Sequence, residues 1–524
     1  MSAFRLAQTP YWAGVAAWGL GGLGLALAIT GLPVGLATLL VLGSIAAALA
    51  LLDPAWALYL AVLSVPVQEL VLLPGGLSVT QAALLLSIGS LALHVLAHPE
   101  RPVRFGRLFP PLALFLWTMA LSAALTPYSG SEAVRETARW ATVPLMYLLA
   151  LRAVGTERGG WRVEGLVACL LFAPAAEAVV GLVQFWFGLG PASFLIGARA
   201  RAYGTIGQPN SFAGYMNQAW PLAAGVTTFA LVGLLTGAPR RPALLALAGA
   251  GAATALTGAA LLASFSRGGW AGAIGGAVAL AVATATMLPR ELRRVTQRLL
   301  AAAGATGVAL VLLGGGGLLP AALTNRLDSL TSNLRLFDAR GADITPANFA
   351  VVERMAHLQA GWNMVTEHPL TGVGPGNYSV AYVTPPRAGE RPVSVRPWYV
   401  SRGHAHNYYL NIAAETGLVG LTAYLLLIGA TIWQVVRAIQ AASTWLWRGV
   451  AAGGAGVVAA VAIHNLFENL HVLNLGLQLG AIWALLVIAE VAQDKVSGAG
   501  FQVSGRAQQQ ALQGPLHSKI LEGI

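Results

Sequence analysis

Apolar runs of about 20 residues recur along most of this chain, and each could cross a bilayer of about 30 Å as a helix. The chain has 524 residues, of which 56% are hydrophobic and 10% are charged, whereas soluble proteins carry about 25% charged residues. The pattern therefore predicts an all-α fold, a polytopic bundle of about 12 to 14 transmembrane helices.

The predicted spans divide the chain into four parts. Residues 1–319 hold about 11 spans, residues 320–406 form a large polar loop with short helices, and residues 407–492 hold about three more spans. Residues 493–524 form a polar tail that is predicted to be disordered. The spans are predicted at 11–30, 33–52, 54–73, 78–97, 108–126, 138–154, 163–188, 210–236, 242–263, 268–288, 299–319, 408–434, 446–463 and 472–492.

The net charge of +11 does not indicate a nucleic-acid partner, because the arginines are spread over alternate short loops, as membrane orientation requires. This rule places those loops, both termini and the tail in the cytoplasm, and the 320–406 loop on the outer face. A single cysteine, Cys169, excludes an intrachain disulfide. The basic loops carry Arg101, Arg104, Arg107, Arg152, Arg158, Arg162, Arg240, Arg241, Arg290, Arg293, Arg294, Arg298, Arg437 and Arg448.

Polar residues beside a span cost free energy unless they are paired, so they are candidates for function. In "ARARAYGTIGQPNSFAGYM", Arg201 lies on an outer loop and Asn210 begins the next helix, where it could equally serve as a helix cap. In "ASFSRGGWAGAIGG", Arg267 occupies a tight turn between two spans and could bind a ligand or reach headgroup phosphates. The glycines that follow Arg267 predict close helix packing.

Two more outer segments carry candidates. In "ERMAHLQAGWNMVTEHPLTGVGPGNY", Arg354 lies on a helix, and the glycine-rich turn lacks the lysine of a nucleotide-binding phosphate loop. In "RGHAHNYYLNIAAETGLVGL", His404, His406 and Asn407 precede a span, and Glu415 lies in its first turns. This spacing is a poor match to a zinc site. A structural histidine and a general base near neutral pH are the other interpretations.

The candidates share the predicted outer face. Arginine stays charged and binds phosphate oxygens with a planar fork, and histidine can take a proton from a hydroxyl. Together they suit the attack of a hydroxyl on a carbon that carries a lipid-linked phosphate or diphosphate. The residues concerned are Arg201, Arg267, Arg354, His404 and His406.

These segments resemble the O-antigen ligase and O-antigen polymerase superfamily, in the order of that family, between about residues 120 and 490. The segment "HAHNYYLNIAAETGLVGL" fits its H-N-x9-G-x2-G signature with His406, Asn407, Gly417 and Gly420. "RAYGTIGQPNSFAGY" is similar to its R-x-x-G-T-x-x-x-P-N block and "SFSRGGW" to its S-R-G block. "HPLTGVGPGNY" resembles its lead into the large periplasmic loop.

The resemblance implies a GT-C-like integral membrane glycosyltransferase that takes a glycan from undecaprenyl diphosphate at the periplasmic face of a bacterial inner membrane. The acceptor would be a glycan, lipid A–core or a protein, and neither a metal nor another cofactor would be needed. His406 would be the base, and Arg201 and Arg267 would bind the diphosphate. Ligases and polymerases share these motifs. The further substrate-binding residues would be Arg354, His404, Asn407 and Asn210.

Two other functions remain open from the sequence. The first is a transporter or flippase for a lipid-linked or anionic solute, for which Glu69 and Glu177 are the nearest ionisable candidates. Transporters place such residues near the bilayer midplane, often between inverted repeats, and no such repeat is evident. The second is a non-catalytic scaffold, which would make Arg201, Arg267 and His406 dispensable.

Overall fold

The computed structural model describes residues 33–73, 77–99, 105–155, 160–288, 293–294, 338–345, 348–386, 389, 391–395 and 403–491. Apart from the two-residue strands β1 (Leu195–Ile196) and β2 (Arg199–Ala200), the regular structure of this part is helical, which confirms the all-α class. The helices are α1 (Val34–Leu52), α2 (Pro54–Ser64), α3 (Val79–Ala97), α4 (Phe109–Leu125), α5 (Gly130–Val154), α6 (Gly160–Phe187), α7 (Pro209–Asn217), α8 (Trp220–Leu235), α9 (Arg240–Ala263), α10 (Arg267–Met287), α11 (Phe349–Glu367), α12 (Tyr378–Val383), α13 (Tyr408–Ala441), α14 (Trp445–His464) and α15 (Gly476–Val491), with a short 3-10 helix at Ala192–Phe194.

Within the described ranges, 8 helical segments are long and apolar enough to cross a membrane. They are α1, α3, α6, α7 together with α8, α9, α10, α13 and α14, and the apolar helices α2, α4 and α15 are shorter. The protein is thus a polytopic helical membrane protein, as predicted. The spans predicted at 11–30 and 299–319, and the tail predicted at 493–524, lie outside the described residues.

Two of the predicted spans are not single continuous helices. The span predicted at 54–73 contains α2, which ends at Ser64 and is followed by turns. The span predicted at 210–236 is divided into α7 and α8, with Pro221 in the first turn of α8. Proline suits the first turn of a helix, because the missing N–H costs no hydrogen bond there, so the residue fits the start of α8.

Small residues bring α14 close to both α8 and α10. A Cβ atom at Gly225 would lie 2.4 Å from Gly449 O, and one at Gly272 would lie 2.6 Å from Ala460 O. Glycine allows such close approach of helix backbones within a membrane, so the predicted packing role of the glycines after Arg267 is confirmed. This packing fixes the start of α10 beside the end of α14.

Basic and acidic residues pair at one end of the bundle. The Arg437 Nε donates to Glu490 Oε1 at 3.0 Å, and Arg107 Nη2 lies 3.3 Å from the same oxygen. Arg162 pairs with Asp53 where α6 begins. These arginines come from the loops predicted to be cytoplasmic. The candidate polar residues lie at the opposite end of the bundle.

The described part of the 320–406 loop packs on α13 through α11 and α12. The contact uses a break in α13 at Gly417, whose φ of 67° and ψ of −174° are not helical. The break exposes backbone groups, so that Gly374 N–H donates to Glu415 O and Leu418 N–H donates to Pro369 O, both at 2.8 Å. The loop is thereby held against the end of the bundle that carries the histidines.

Candidate functional site

Arg201 lies between β2 and α7, and its guanidinium is held by two neighbours. Its Nε donates to Ser264 O at 2.8 Å, and its Nη2 donates to Asn210 Oδ1 at 3.1 Å. Burial is the main cause of the lowered pKa of Arg201, and the nearby charge of Arg267 acts in the same direction. Because arginine remains protonated at neutral pH, this is a fixed positive charge beside a second one.

The loop that carries Arg201 is anchored by Glu177 of α6, which is buried. The Glu177 carboxylate accepts the Thr205 N–H at 2.6 Å and the Thr205 hydroxyl at 2.9 Å. Glu69, in contrast, lies in an exposed turn. A buried carboxylate needs such donors, so Glu177 has a structural partner in the loop.

The turn before α10 sets the position of Arg267. The Ser264 hydroxyl accepts the Ser266 N–H at 3.2 Å, and the Ser266 hydroxyl accepts the Gly269 N–H at 3.2 Å and caps the helix. Arg267 is the first residue of α10 and is exposed. It is close enough to Arg201 for the two charges to act on one another.

Helix α11 brings Arg354 and His357 to the same region. His357 is fully buried, and its Nδ1 lies 2.8 Å from Glu353 O. The His357 ring meets the His406 ring edge to face, with 5.6 Å between their centroids. Arg354 acts on the carboxyl group of Glu468 as a nearby positive charge. The sequence predicted that Arg354 lies on a helix but did not indicate the contact of His357 with His406.

His404 and His406 lie directly before α13. The His406 N–H donates to His404 Nδ1 at 3.1 Å. His406 has a φ of 55°, which is uncommon for a residue with a side chain and costs conformational energy. Both ring nitrogens of His406 are buried, and neither has a hydrogen-bond partner among the described residues. An imidazole in this state is available to exchange a proton with a ligand.

Glu468, in the turn after α14, joins the two halves of the site, and the sequence motifs do not include it. It is 6% exposed, and its Oε2 accepts Asn210 Nδ2 at 2.5 Å. Its Oε1 lies 3.2 Å from His404 Nε2 and 3.7 Å from His406 Nδ1. Burial would raise the pKa of Glu468, but its contacts with the histidines and the charge of Arg354 outweigh burial and hold the pKa well below its usual range.

The only sequence signal for Glu468 is the acidic residue within "HNLFENLH", between the spans predicted at 446–463 and 472–492. An acidic residue in a loop is common and does not by itself indicate a partner. The structure therefore adds the carboxylate that the sequence reasoning missed.

The remaining candidates have local contacts. Asn407 caps α13, because its Oδ1 accepts the Leu410 N–H at 3.0 Å. Asn210 makes no cap at α7, so the capping alternative for this residue is wrong, and it bridges the arginine and the carboxylate described above. Glu415 accepts the Tyr378 N–H at 3.3 Å.

His404, His406 and Glu468 could also be considered as metal ligands. Each offers one ligand atom, and these atoms lie within 4.8 Å of one another. However, Glu468 already has polar neighbours at both oxygens, and the arginines nearby oppose a divalent cation by charge repulsion. The contacts of Glu468 with Asn210 and the two histidines explain why these side chains lie together. The expected absence of a metal stays a prediction.

The structure thus brings the predicted residues to one place. Glu468 links four of them, namely Arg201, Asn210, His404 and His406. Arg267 and Arg354 act on this network as nearby positive charges. Asn407 holds the start of the helix that follows the histidines.

The fold and the site define a polytopic helical membrane protein with arginines and histidines gathered at one end of its bundle. Residues 252–425 match the O-antigen ligase family, Wzy_C. The chain therefore carries an O-antigen ligase domain, of an enzyme family that acts in polysaccharide biosynthesis. This match confirms the resemblance and includes Arg267, His404 and His406, whereas Arg201 and Glu468 lie outside it. No curated protein sequence matches the chain.

Proposed function

We propose that this protein transfers or polymerises a glycan from an undecaprenyl-diphosphate-linked donor to a hydroxyl acceptor at the periplasmic face of a bacterial inner membrane. His406 is the general base, and Arg201 and Arg267 bind the diphosphate. The acceptor is a glycan, lipid A–core or a protein. The proposal specifies the activity of the O-antigen ligase domain in terms of the residues of this chain.

The proposed reaction is a single displacement at the anomeric carbon. His406 takes the proton of the acceptor hydroxyl while its oxygen forms the new glycosidic bond. The bond from the anomeric carbon to the diphosphate oxygen breaks, and the leaving diphosphate keeps the electron pair. Attack from the opposite face inverts the anomeric configuration. General base catalysis contributes about 10²- to 10⁴-fold, and fixed positive charges stabilise the leaving group. This scheme requires no metal.

One observation supports the proposal above all others. The two ring nitrogens of His406 are buried and have no hydrogen-bond partner among the described residues, yet the ring lies beside a carboxylate that is linked through Asn210 to Arg201. A base and a phosphate-binding group are thus held by one polar network. Such a combination suits an acceptor with a hydroxyl and a donor with a diphosphate.

The lipid chain of the donor also has a suitable place. An apolar cavity of about 660 Å³ lies between α6 and α9, with Leu171 and Val179 on one side and Leu245 and Leu256 on the other. Helix α9 ends directly before Ser264, which accepts a hydrogen bond from Arg201. The distance along the helix axis from Leu256 to Ser264 is about 12 Å. A polyprenyl chain can span this distance.

The proposed orientation rests on the charged end of the bundle. The loops with Arg107, Arg162 and Arg437 lie opposite the histidines. Positive residues favour the cytoplasmic side, so the site would face the periplasm.

The first test deletes the gene in its host and restores it as wild type, His406→Ala or Arg267→Ala. Arg135→Ala is the matched control, because Arg135 is a highly exposed arginine at the same end of the bundle. Surface glycans would be separated on a gel, and lipid-linked glycans would be extracted from the membranes. We expect His406→Ala and Arg267→Ala to lose the surface polymer and to accumulate the lipid-linked donor, and Arg135→Ala to resemble wild type.

The accumulated material also distinguishes the two activities of the family. Single repeats on the lipid would identify a polymerase, and long chains would identify a ligase. If His406→Ala is present in normal amounts and restores the polymer fully, the catalytic assignment is wrong, and transport or scaffolding takes its place. A flux assay with the lipid-linked donor in reconstituted vesicles would then separate these two, since only a transporter moves its solute across the membrane.

A further inference from the structure

Glu468 occupies a position from which it can control both parts of the site. The turn after α14 buries its carboxylate, and every polar neighbour described above approaches one of its two oxygens. Oε2 faces Asn210 and hence Arg201, whereas Oε1 faces the two histidines. A buried carboxylate without such partners would be strongly destabilising, so these contacts are what allows it to be there.

The hydrogen bonds determine which ring nitrogen of His404 carries its proton. The His406 N–H donates to His404 Nδ1, so this nitrogen is an acceptor. In a neutral ring the proton then lies on Nε2, which donates to Glu468 Oε1. Burial lowers the pKa of His404 to about 4, although the Glu468 charge acts in the opposite direction. His404 is therefore neutral at pH 7 and leaves proton transfer to His406.

His404 faces Glu468 Oε1 with its Nε2, whereas His406 faces the same oxygen with its Nδ1. Its Nδ1 lies 3.7 Å from Glu468 Oε1, slightly beyond hydrogen-bond distance, and catalytic hydrogen bonds are often long in the absence of substrate. A proton on Nδ1 is attracted to the carboxylate, which leaves Nε2 unprotonated. A carboxylate that orients an imidazole in this way also stabilises the imidazolium that forms during reaction.

We propose that Glu468 is a positioning residue, which holds His406 with its proton on Nδ1, stabilises the imidazolium formed when Nε2 takes the acceptor proton, and fixes Arg201 relative to the base through Asn210. This inference rests on the proposed function. It assigns to one carboxylate the alignment of the two reacting partners, because the donor would lie at Arg201 and the acceptor at His406.

The test compares the turnover of Glu468→Gln, Glu468→Asp and wild type in detergent, at equal amounts of monodisperse protein. The lipid-linked donor and the acceptor are both prepared from the deletion strain. Glutamine keeps the size of the side chain and an acceptor for Asn210 but removes the charge. We expect Glu468→Gln to lower kcat by about 10²- to 10⁴-fold with little change in the KM for the donor, and Glu468→Asp to retain more activity than Glu468→Gln.

Glu490→Gln is the matched control. Glu490 is also 6% exposed and is paired with Arg437, but at the opposite end of the bundle. A purely structural loss of a buried charge should affect both glutamine variants alike in thermal stability and neither in kcat. A fall in kcat that is confined to Glu468→Gln therefore reports on the site.

Three results would overturn the positioning role. The first is turnover of Glu468→Gln at the wild-type rate, and the second is a rise in the donor KM with no fall in kcat. The third result is loss of wild-type activity with a chelator and its recovery with zinc, which would make Glu468 a metal ligand. His406→Ala in the same assay separates this inference from the proposed function. If His406→Ala is inactive but Glu468→Gln is fully active, the glycosyltransferase stands and the role of Glu468 falls.

Discussion

Replacing Gly417 by alanine would test the break in α13 on which the polar loop is docked. The backbone there has a φ of 67° and a ψ of −174°, a region open to glycine and costly for other residues. A Cβ atom would lie 2.1 Å from Leu370 O and 2.5 Å from Thr371 N. Both atoms belong to the backbone, so neither can rotate away.

Two costs follow from this geometry. The unfavourable backbone conformation costs about 1–3 kcal/mol. Forcing a methyl group into a filled space costs about 1–3 kcal/mol more. Gly417→Ala should therefore lower the free energy of unfolding by about 2–6 kcal/mol. Because the same contact supports α11 and hence Arg354, glycan transfer should fall as well.

Gly429→Ala is the control in the same helix. Nothing lies within 4 Å of a Cβ atom at Gly429, and alanine in a helix interior is favoured over glycine by about 0.5–1 kcal/mol. Denaturant-induced unfolding in detergent would measure both variants, and limited proteolysis would report on the loop. Equal unfolding midpoints for Gly417→Ala and Gly429→Ala would refute the reasoning.

Three further predictions concern other parts of the molecule. Gly268→Ala should reduce glycan transfer by about 10- to 100-fold, because its Cβ atom would lie 2.9 Å from atoms of α14 and of the following turn and would displace the start of α10. Gly258→Ala is the control and should leave transfer unchanged, because nothing lies within 4 Å of a Cβ atom there. Gels of surface glycans would compare the two variants. The depressed pKa of His404, about 4 against an ordinary 6.5, means that the unfolded state binds more protons between these pH values. Stability should thus fall by up to about 3 kcal/mol as the pH drops from 6.5 to 4, and melting curves of His404→Gln should lack this component. Ala253→Trp should raise the KM for the lipid-linked donor by filling the apolar cavity, whereas Leu244→Trp, on an exposed position of the same helix, should leave it unchanged.

The sequence was sufficient for the features that depend on neighbouring residues. Hydropathy over about 20 residues is a local property, and it predicted the polytopic helical class and most helix positions. The alternation of basic loops likewise separated the two ends of the bundle. The signature around His406 was also readable, since its residues are close together in the chain, and the structure explains Gly417 within it by the break in α13.

Only the tertiary structure decided how the polar residues are connected. Asn210 and Glu468 are 258 positions apart and hydrogen-bond to one another, and no local pattern relates them. Asn210 looked like a helix cap because its neighbours allow that role, yet its amide bridges Arg201 and the buried carboxylate. A buried charge is tolerated only where the folded chain supplies partners. These partners come from separate helices, so hydropathy and spacing determined the membrane fold, whereas packing determined the site.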